Sequence, residues 1–455
     1  MARLFRYHTG TACRTAGGSP GLRKTAEGGI GMRRVCALIL SAVCLLLPPV
    51  AGLSEESVVV ETEVVIEGAE PEAAPADPAT VFTPSFGSPY DSDLGSAFWT
   101  TPMDITDEQA VWDMLMQPIT VVDPQKKKYN AKSQVYLYRE PDSDSQIIGE
   151  VTCMSQGVRV IEHLDNGWSL VECYSSSFHT PATKTGAWNL LVSGYIQTNY
   201  LKTVQPSDRF ALVVDKLTQR IYVFKDGKLF TTLLCSTGLV QNNGKKDQPY
   251  NETRSGEFIF ISRVGAFQSD RLTCSYALRF NGGDMIHEVP HVLQADGKTK
   301  NYKSTEPFLG QKRSHGCIRV QYRRTPEGVN MKWIYDNAGH ENIKIVIWED
   351  WQGRQIPVPS PDTVLYYNPE GGECYHSQAH CYNHKKGLDF TFTPFRYSQL
   401  DEGEFANLTP CNYCSPPLRE SEIREINAVY APGGDHEPLL NSLRQAYYDY
   451  LREAQ

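Results

Sequence analysis

Ser314-His315-Gly316-Cys317-Ile318-Arg319 sets one cysteine between a glycine and a short apolar-basic run. Upstream, Gly283-Asp284-Met285-Ile286 reads as a strand that ends on His287. A thiol is a useful nucleophile only as thiolate, and its unperturbed pKa is about 8.5. A neighbouring imidazole can take that proton and hold the ion pair, so cysteine plus histidine is the smallest kit for thiol-based acyl transfer. Gly316 lets the backbone bend closely, and adjacent N–H groups can then point at a developing oxyanion. His291 is the other nearby imidazole, but it follows Pro290 and reads as loop. His287 directly follows an apolar strand and is the expected base.

The chain has 455 residues, more than one ordinary domain holds. Its net charge of −9 argues against nucleic acid as a partner. From Leu53 to Gln125 there is no Lys or Arg, and residues 67–78 are acidic and Pro-rich, the composition of a disordered linker. Met32-Arg33-Arg34, the apolar run Val35 to Leu47 and the small residues Val50-Ala51-Gly52 read as an export signal. Residues 1–52 are therefore expected to be leader and signal peptide, with translation starting at Met32. The apolar run is short for a membrane span of about 20 residues. An uncleaved signal anchor is the one membrane attachment expected, and the rest of the chain is expected to be secreted, at the cell wall.

Residues 53–127 read as the acidic linker and a short helix. Thr106-Asp107-Glu108-Gln109 supplies an N-cap and acidic first turn, and Pro118 ends the helix. Residues 128–204 alternate: 134–138, 157–161, 168–172 and 194–197 are strand candidates separated by turns such as Asp165-Asn166-Gly167. Their order resembles a bacterial SH3-like barrel, on the match of Gly167-Trp168, Gly194-Tyr195-Ile196 and Tyr200-Leu201. The resemblance implies docking on cell walls; barrel core is the expected place for the aromatic residues. Residues 175–187 read as a loop insertion. Residues 208–350 open with strands at 210–215, 219–224 and 229–235, the last two joined by the Asp226-Gly227 hairpin turn. A helix is expected over 330–336 and a closing strand over 343–348.

The segment 208–350 resembles the L,D-transpeptidase family, with its YkuD fold. The signature of that family is a histidine, a spacer, then Ser/Thr-His-Gly-Cys, an apolar residue and Asn or Arg. Here it is His287, then Ser314, His315, Gly316, Cys317, Ile318 and Arg319, and Thr253-Arg254-Ser255-Gly256-Glu257-Phe258 stands where the family has Thr-Pro-x-Gly-x-Phe. Two features depart from the pattern. The spacer is longer than in the family, Ser314 lying 27 positions after His287, and Glu288 replaces a glycine. The extra length includes residues 294–300, a polar turn.

The resemblance implies a mainly β, sandwich-like domain acting on peptidoglycan stem peptides, hence in cell wall organization and cell shape. Cys317 would be the nucleophile and His287 the base. Gly316 and Cys317 N–H groups, with His315 nearby, would hold the oxyanion. Ser314 would orient His287, and Arg319 would hold a substrate carboxylate. Catalysis of this kind needs no cofactor. Water as acceptor would make the same site an L,D-carboxypeptidase. A base displaced from Cys317 would leave a catalytically inactive wall-binding adaptor.

Residues 351–417 carry Cys374-Tyr375-His376, Cys381 and the pair Cys411 and Cys414. His376, Cys381, Cys411 and Cys414 are metal-ligand types at metal-ligand spacing, and a structural zinc is one reading; a pair of disulfides, suited to an oxidising compartment, is the other. The stretch resembles a small Cys/His module appended to some secreted bacterial proteins, on Tyr375-His376, Thr409-Pro410-Cys411 and Cys414. Cys153 with Cys173, and Cys235 with Cys274, are open between disulfides and buried thiols. Residues 418–455 read as a helical tail packed on the module. The expected chain is thus mainly β: an SH3-like barrel, a β-sandwich-like catalytic domain, then a small α/β Cys-rich module.

Overall fold

The computed structural model describes residues 103–176, 188–239, 252–350, 354–381 and 391–431, with Gly434, Tyr447 and 449–452. The expected leader and most of the linker lie outside these residues, as do 177–187 of the expected insertion and much of the second tail helix. Helix α1 (Glu108–Met116) starts where Asp107 accepts from the Ala110 N–H. Its last carbonyls are held by a buried lysine: Lys344 Nζ donates to Gln117 O at 2.9 Å and pairs with Glu257. Strand β1 (Ile119–Val122) then pairs with β7 (Leu201–Val204).

Between them lies a five-stranded antiparallel sheet of β2 (Gln134–Tyr138), β3 (Ile147–Thr152), β4 (Arg159–His163), β5 (Trp168–Ser176) and β6 (Trp188–Gln197), in the order β3-β2-β6-β5-β4. Strand β3 is missed by sequence reasoning because Gly149 and Glu150 interrupt its apolar run. The structure shows why Gly149 stands there: a Cβ would meet Val192 at 2.9 Å. The aromatics expected in the barrel core are mostly elsewhere. Tyr136, Tyr138, Trp168, Tyr195 and Tyr200 are half-buried, and Tyr129, Tyr136, Tyr138 and Tyr200 line a cavity of about 230 Å³. The core is aliphatic instead, with Val135, Leu137, Ile148, Val171 and Val192. Cys153 and Cys173 are buried thiols in that core, not a bridge, and Cys235 and Cys274 are likewise unbridged.

The second sheet has nine strands in the order β11-β18-β8-β9-β10-β17-β14-β13-β12. They are β8 (Ala211–Asp215), β9 (Arg220–Lys225), β10 (Lys228–Ser236), β11 (Gly256–Ile259), β12 (Ser262–Ser269), β13 (Leu272–Asn281), β14 (Asp284–Glu288), β17 (Ile318–Val320) and β18 (Lys344–Trp348). Its β9–β10 turn holds Asp226 and Gly227 at φ 53° and 77°, the positive pair a tight hairpin asks for. The sheet curls over its own core: Leu212, Val214, Ile221 and Ile347 from one half meet Leu278, Ile286, Ile318 and Val320 from the other. Helix α2 (Met331–Ala338), capped by the Asn330 side chain, seals that core with Met331 and Ile334.

The outer face of β8 and β18 is not exposed. Val213, Val346 and Trp348 belong to the same apolar cluster as Val135, Leu137 and Ile148, so the five-stranded sheet covers the back of the nine-stranded one. Backbone bonds join them too: Gly157 N–H donates to Glu257 O at 2.8 Å and Ile259 N–H to Ser155 O at 3.0 Å, which closes the open edge at β11.

The polar insert is a small hairpin of β15 (Val292–Leu293) and β16 (Lys300–Asn301), turned by the Asp296 carboxylate, which accepts from the Lys298 and Thr299 N–H groups. The C-terminal module is a four-stranded sheet in the order β21-β19-β20-β22, of β19 (Val364–Tyr367), β20 (Cys374–His376), β21 (Thr393–Arg396) and β22 (Thr409–Pro410). Helix α3 (Glu420–Tyr430) follows. The tail does not all pack on the module, as expected from sequence. Tyr430 bonds Asp350, and Tyr447 and Leu451 enter the core beneath the five-stranded sheet, where the Tyr447 hydroxyl donates to Ile148 O at 2.7 Å.

Truncating Trp348 to alanine tests the shared core. It should cost about 3–5 kcal/mol, the usual figure for a large buried aromatic. Urea unfolding should keep a single transition; two separated transitions would show that the sheets unfold independently.

Candidate active site

Strands β14 and β17 are neighbours and run parallel. Their register sets Ile286 beside Ile318 and His287 beside Arg319. Side chains alternate along a strand, so the isoleucines turn into the core while His287, Arg319 and Cys317 share the opposite face. Cys317 comes just before β17 and is partly exposed. The Met285 N–H donates to its sulfur. The two halves of the motif, 27 positions or more apart in sequence, are thus brought together by one pair of strands.

His287 is 2% exposed. Its Nδ1–H donates to the Glu288 carbonyl at 2.7 Å, which leaves Nε2 to accept a proton. The Phe267 ring meets the imidazole edge-on at 5.4 Å. Burial, with the Arg319 charge adding to it, pulls the imidazole down to about 4. Burial, and next the Asp284 carboxylate, push the Cys317 thiol up to about 12. The resting site is therefore a neutral thiol and a neutral imidazole on one sheet face, with no hydrogen bond between them among the described residues, not the ion pair expected from sequence.

The turn that carries Cys317 is held from several sides. Ser314 N–H donates to Thr237 O at 2.9 Å, and the Thr253 hydroxyl donates to Gly316 O at 2.8 Å. Gly316 adopts φ 118°, and a Cβ there would lie 2.5 Å from Asp284 Oδ1. Only glycine fits both the angle and the space. Asp284 in turn pairs with Arg254, and both are buried. Thr253, Arg254 and Asp284 are site residues that sequence reasoning misses. The signal was present: Thr253 and Arg254 lie in the stretch that matches the family's Thr-Pro-x-Gly-x-Phe, and Asp284 opens the strand that ends on His287.

Two roles expected from sequence are corrected. Ser314 does not bond His287: its hydroxyl donates to Cys317 O at 2.5 Å and accepts from Gly316 N–H at 3.2 Å, so it holds its own turn. The same bond occupies the Gly316 N–H that was expected at the oxyanion. His315 is exposed beside the turn. His291 is not loop either. It is buried, exchanges both backbone bonds with Thr273, and sits 3.8 Å from Glu288. Among the described residues Arg319 makes no ion pair. Lys312 pairs with Asp350 and Arg323 with Glu306.

The sequence profile of the L,D-transpeptidase catalytic domain, YkuD, matches residues 209–347. This segment is an L,D-transpeptidase catalytic domain. Among solved structures, the chain is similar to an L,D-transpeptidase (residues 123–326) from Xylanimonas cellulosilytica at 19% identity, over 33% of this chain and 65% of that one, with a TM-score of 0.23. It is similar to one from Stackebrandtia nassauensis at 20% identity, over 33% and 60%, with a TM-score of 0.22. An L,D-transpeptidase from Mycobacterium smegmatis shares 15% identity over 51% and 91%, with a TM-score of 0.23. The chain spans less than two thirds of the first two. No curated protein sequence matches it.

Away from the catalytic domain, His376, Cys381, Cys411 and Cys414 also come together, with all their donor atoms within 4.8 Å of one another. A second group, Glu252, Glu349 and Asp350, is filled by Lys216, whose Nζ lies 2.8, 2.9 and 3.7 Å from the three carboxylates.

Two outcomes follow at the Cys317 turn. Gly316→Ala should cost about 1–3 kcal/mol through the strained φ alone, read by urea unfolding, and should lower acylation of Cys317. Asp284→Asn removes a charge that raises the thiol, so the pH midpoint for Cys317 alkylation by iodoacetamide should move down. An unchanged midpoint would show that Asp284 does not act on the sulfur.

Proposed function

We propose that the protein is a peptidoglycan L,D-transpeptidase that forms 3→3 cross-links through a thioester on Cys317. The observation that carries this reading is the parallel β14–β17 pair, which sets His287, Cys317 and Arg319 on one face within a matched L,D-transpeptidase catalytic domain. Cys317 sulfur attacks the carbonyl of the diamino acid in a tetrapeptide stem, and its proton passes to His287 Nε2. The C–N bond to terminal D-Ala breaks, and the leaving amine takes that proton. A second stem then offers its side-chain amine to the thioester carbonyl. His287 accepts a proton from it, the new amide forms, and the sulfur leaves and is reprotonated.

A thiol pushed up to about 12 and an imidazole pulled down to about 4 make transfer costly before substrate arrives. The partly exposed sulfur is then not spent on stray electrophiles at neutral pH. The Arg319 guanidinium, with no ion pair among the described residues, supplies a positive charge for a substrate carboxylate. With the Gly316 N–H held by Ser314, the Cys317 N–H is the backbone donor this reading calls on, and one such donor is worth about 10²–10³ in rate. The protein acts outside the cell, on the wall, with residues 128–204 as an SH3-like docking surface through the tyrosine-lined cavity.

Incubation with a purified tetrapeptide-stem muropeptide, followed by product mass, tests this. A cross-linked dimer with loss of D-Ala is the expected product; a monomer that has lost D-Ala to water would make the protein an L,D-carboxypeptidase. Neither product, with no acyl adduct on Cys317, would leave a wall-binding adaptor. Cys317→Ala should abolish turnover, and His287→Ala should lower it by about 10²–10⁴. His291→Ala should leave the chemistry largely intact; equal loss in the two histidine variants would overturn the choice of base.

A further inference from the structure

The Cys/His cluster of the tail lies in its own small module, yet it reaches the catalytic base by an unbroken series of contacts. We propose that His376, Cys381, Cys411 and Cys414 bind one zinc ion, and that the knuckle it closes positions His287 through Tyr413 and Arg323. The second half rests on the reading of His287 as the base.

The donor geometry fits a metal. Cys381 and Cys411 sulfurs are 3.6 Å apart, and Cys414 Sγ is 3.7 Å from His376 Nδ1. A tetrahedron with Zn–S of about 2.3 Å and Zn–N of about 2.0 Å has edges of roughly 3.5–3.8 Å. A disulfide needs sulfurs about 2.05 Å apart. Strand pairing builds the site: β20 and β22 run parallel, with Tyr375 beside Pro410, so His376 and Cys411 leave the sheet at adjacent points. Ser377 N–H donates to Cys414 Sγ at 3.3 Å and Tyr413 N–H to Cys411 Sγ at 3.4 Å, bonds that favour thiolates. The Phe392 ring stacks on His376 at 4.2 Å and helps to bury the cluster.

Tyr413 lies inside the Cys411–Cys414 knuckle. Its hydroxyl accepts from Arg323 Nη1 at 2.7 Å. Arg323 pairs with Glu306 at 2.6 Å and lies over the Tyr322 ring. Tyr322 stacks flat on Tyr302, centroids 3.8 Å apart. The Tyr302 hydroxyl donates to Glu288 Oε1 at 2.8 Å, beside Lys300 at 2.6 Å. The Glu288 carbonyl accepts from His287 Nδ1. Glu288, which stands where the family has glycine, therefore holds the long insert with its carboxylate and the imidazole with its own carbonyl. Without the knuckle, Arg323 keeps Glu306 but loses the Nη1 bond to Tyr413, and the stack above Glu288 loosens. Tyr413 and Arg323 are positioning residues: they touch neither the sulfur nor the imidazole.

The full chain, purified without chelator, should contain one zinc per molecule by plasma mass spectrometry, and Cys381→Ser should lose it. Alkylation of Cys317 by iodoacetamide, followed on its own peptide across pH, reads the base without any wall substrate. Zinc removal and Tyr413→Phe should each slow alkylation at pH 8 by roughly threefold, the effect of one lost hydrogen bond, and shift the profile upward. Tyr413→Phe should add nothing once zinc is gone, as expected of two changes on one path. Tyr367→Phe, on the far side of the module where its hydroxyl bonds Glu404, should leave the profile unmoved. Tyr413→Phe keeps all four ligands, so it separates positioning from collapse of the module. A chain without zinc, or a profile that neither zinc removal nor Tyr413→Phe shifts, overturns the proposal. Failure of wild-type protein to acylate with muropeptide would sink the transpeptidase reading and leave this result standing.

Discussion

One strand pairing carries the site. Parallel β14 and β17 bring a histidine and a cysteine from separate parts of the chain onto one face of a sheet. The opposite face of the same two strands is anchored by Ile286, Ile318 and Val320 in a closed apolar core. A slip of one residue would turn His287 into that core and Ile286 out of it, so the core enforces the register. Placement of Cys317 then depends on a glycine turn that has no room for a side chain, backed by the buried Asp284–Arg254 pair. Burial makes the pair electrically quiet. The thiol and the imidazole are both neutral at rest.

Much of this was legible in the sequence. Cys317 and His287 stood out because a thiol needs a base, and the hairpin at Asp226-Gly227 because only such residues take two positive φ angles. The choice of His287 over His291 came from the strand before it, although His291 is itself buried. Other features were hidden because they depend on distant partners. Ser314 looks like an orienter of histidine in a linear motif, but its hydroxyl closes its own turn. Asp284 looks like a strand-opening polar residue until Arg254 arrives from the irregular segment before β11. The protonation state of the pair could not be read at all, since burial sets it.

The same limit applies to the modular outline. The five-stranded sheet has the turns and the Gly-Trp and Gly-Tyr strands seen from sequence, and its tyrosines looked like core. The core is aliphatic because it is shared: Val213, Val346 and Trp348 of the catalytic sheet complete it. The tyrosines are displaced to the open side, where they line a cavity. Linear motifs identify strands well. They do not show which face meets a neighbouring sheet, nor that Tyr447 and Leu451, near the other end of the chain, join that same core.

That common interior has a practical corollary. A fragment cut at the limits of the matched segment would strip the cover from the back of its sheet and leave Ala211, Val213, Phe224 and Val346 facing water. Such surfaces self-associate. Soluble preparations for inhibitor screening should therefore keep the upstream sheet and the segment that carries Tyr447 and Leu451.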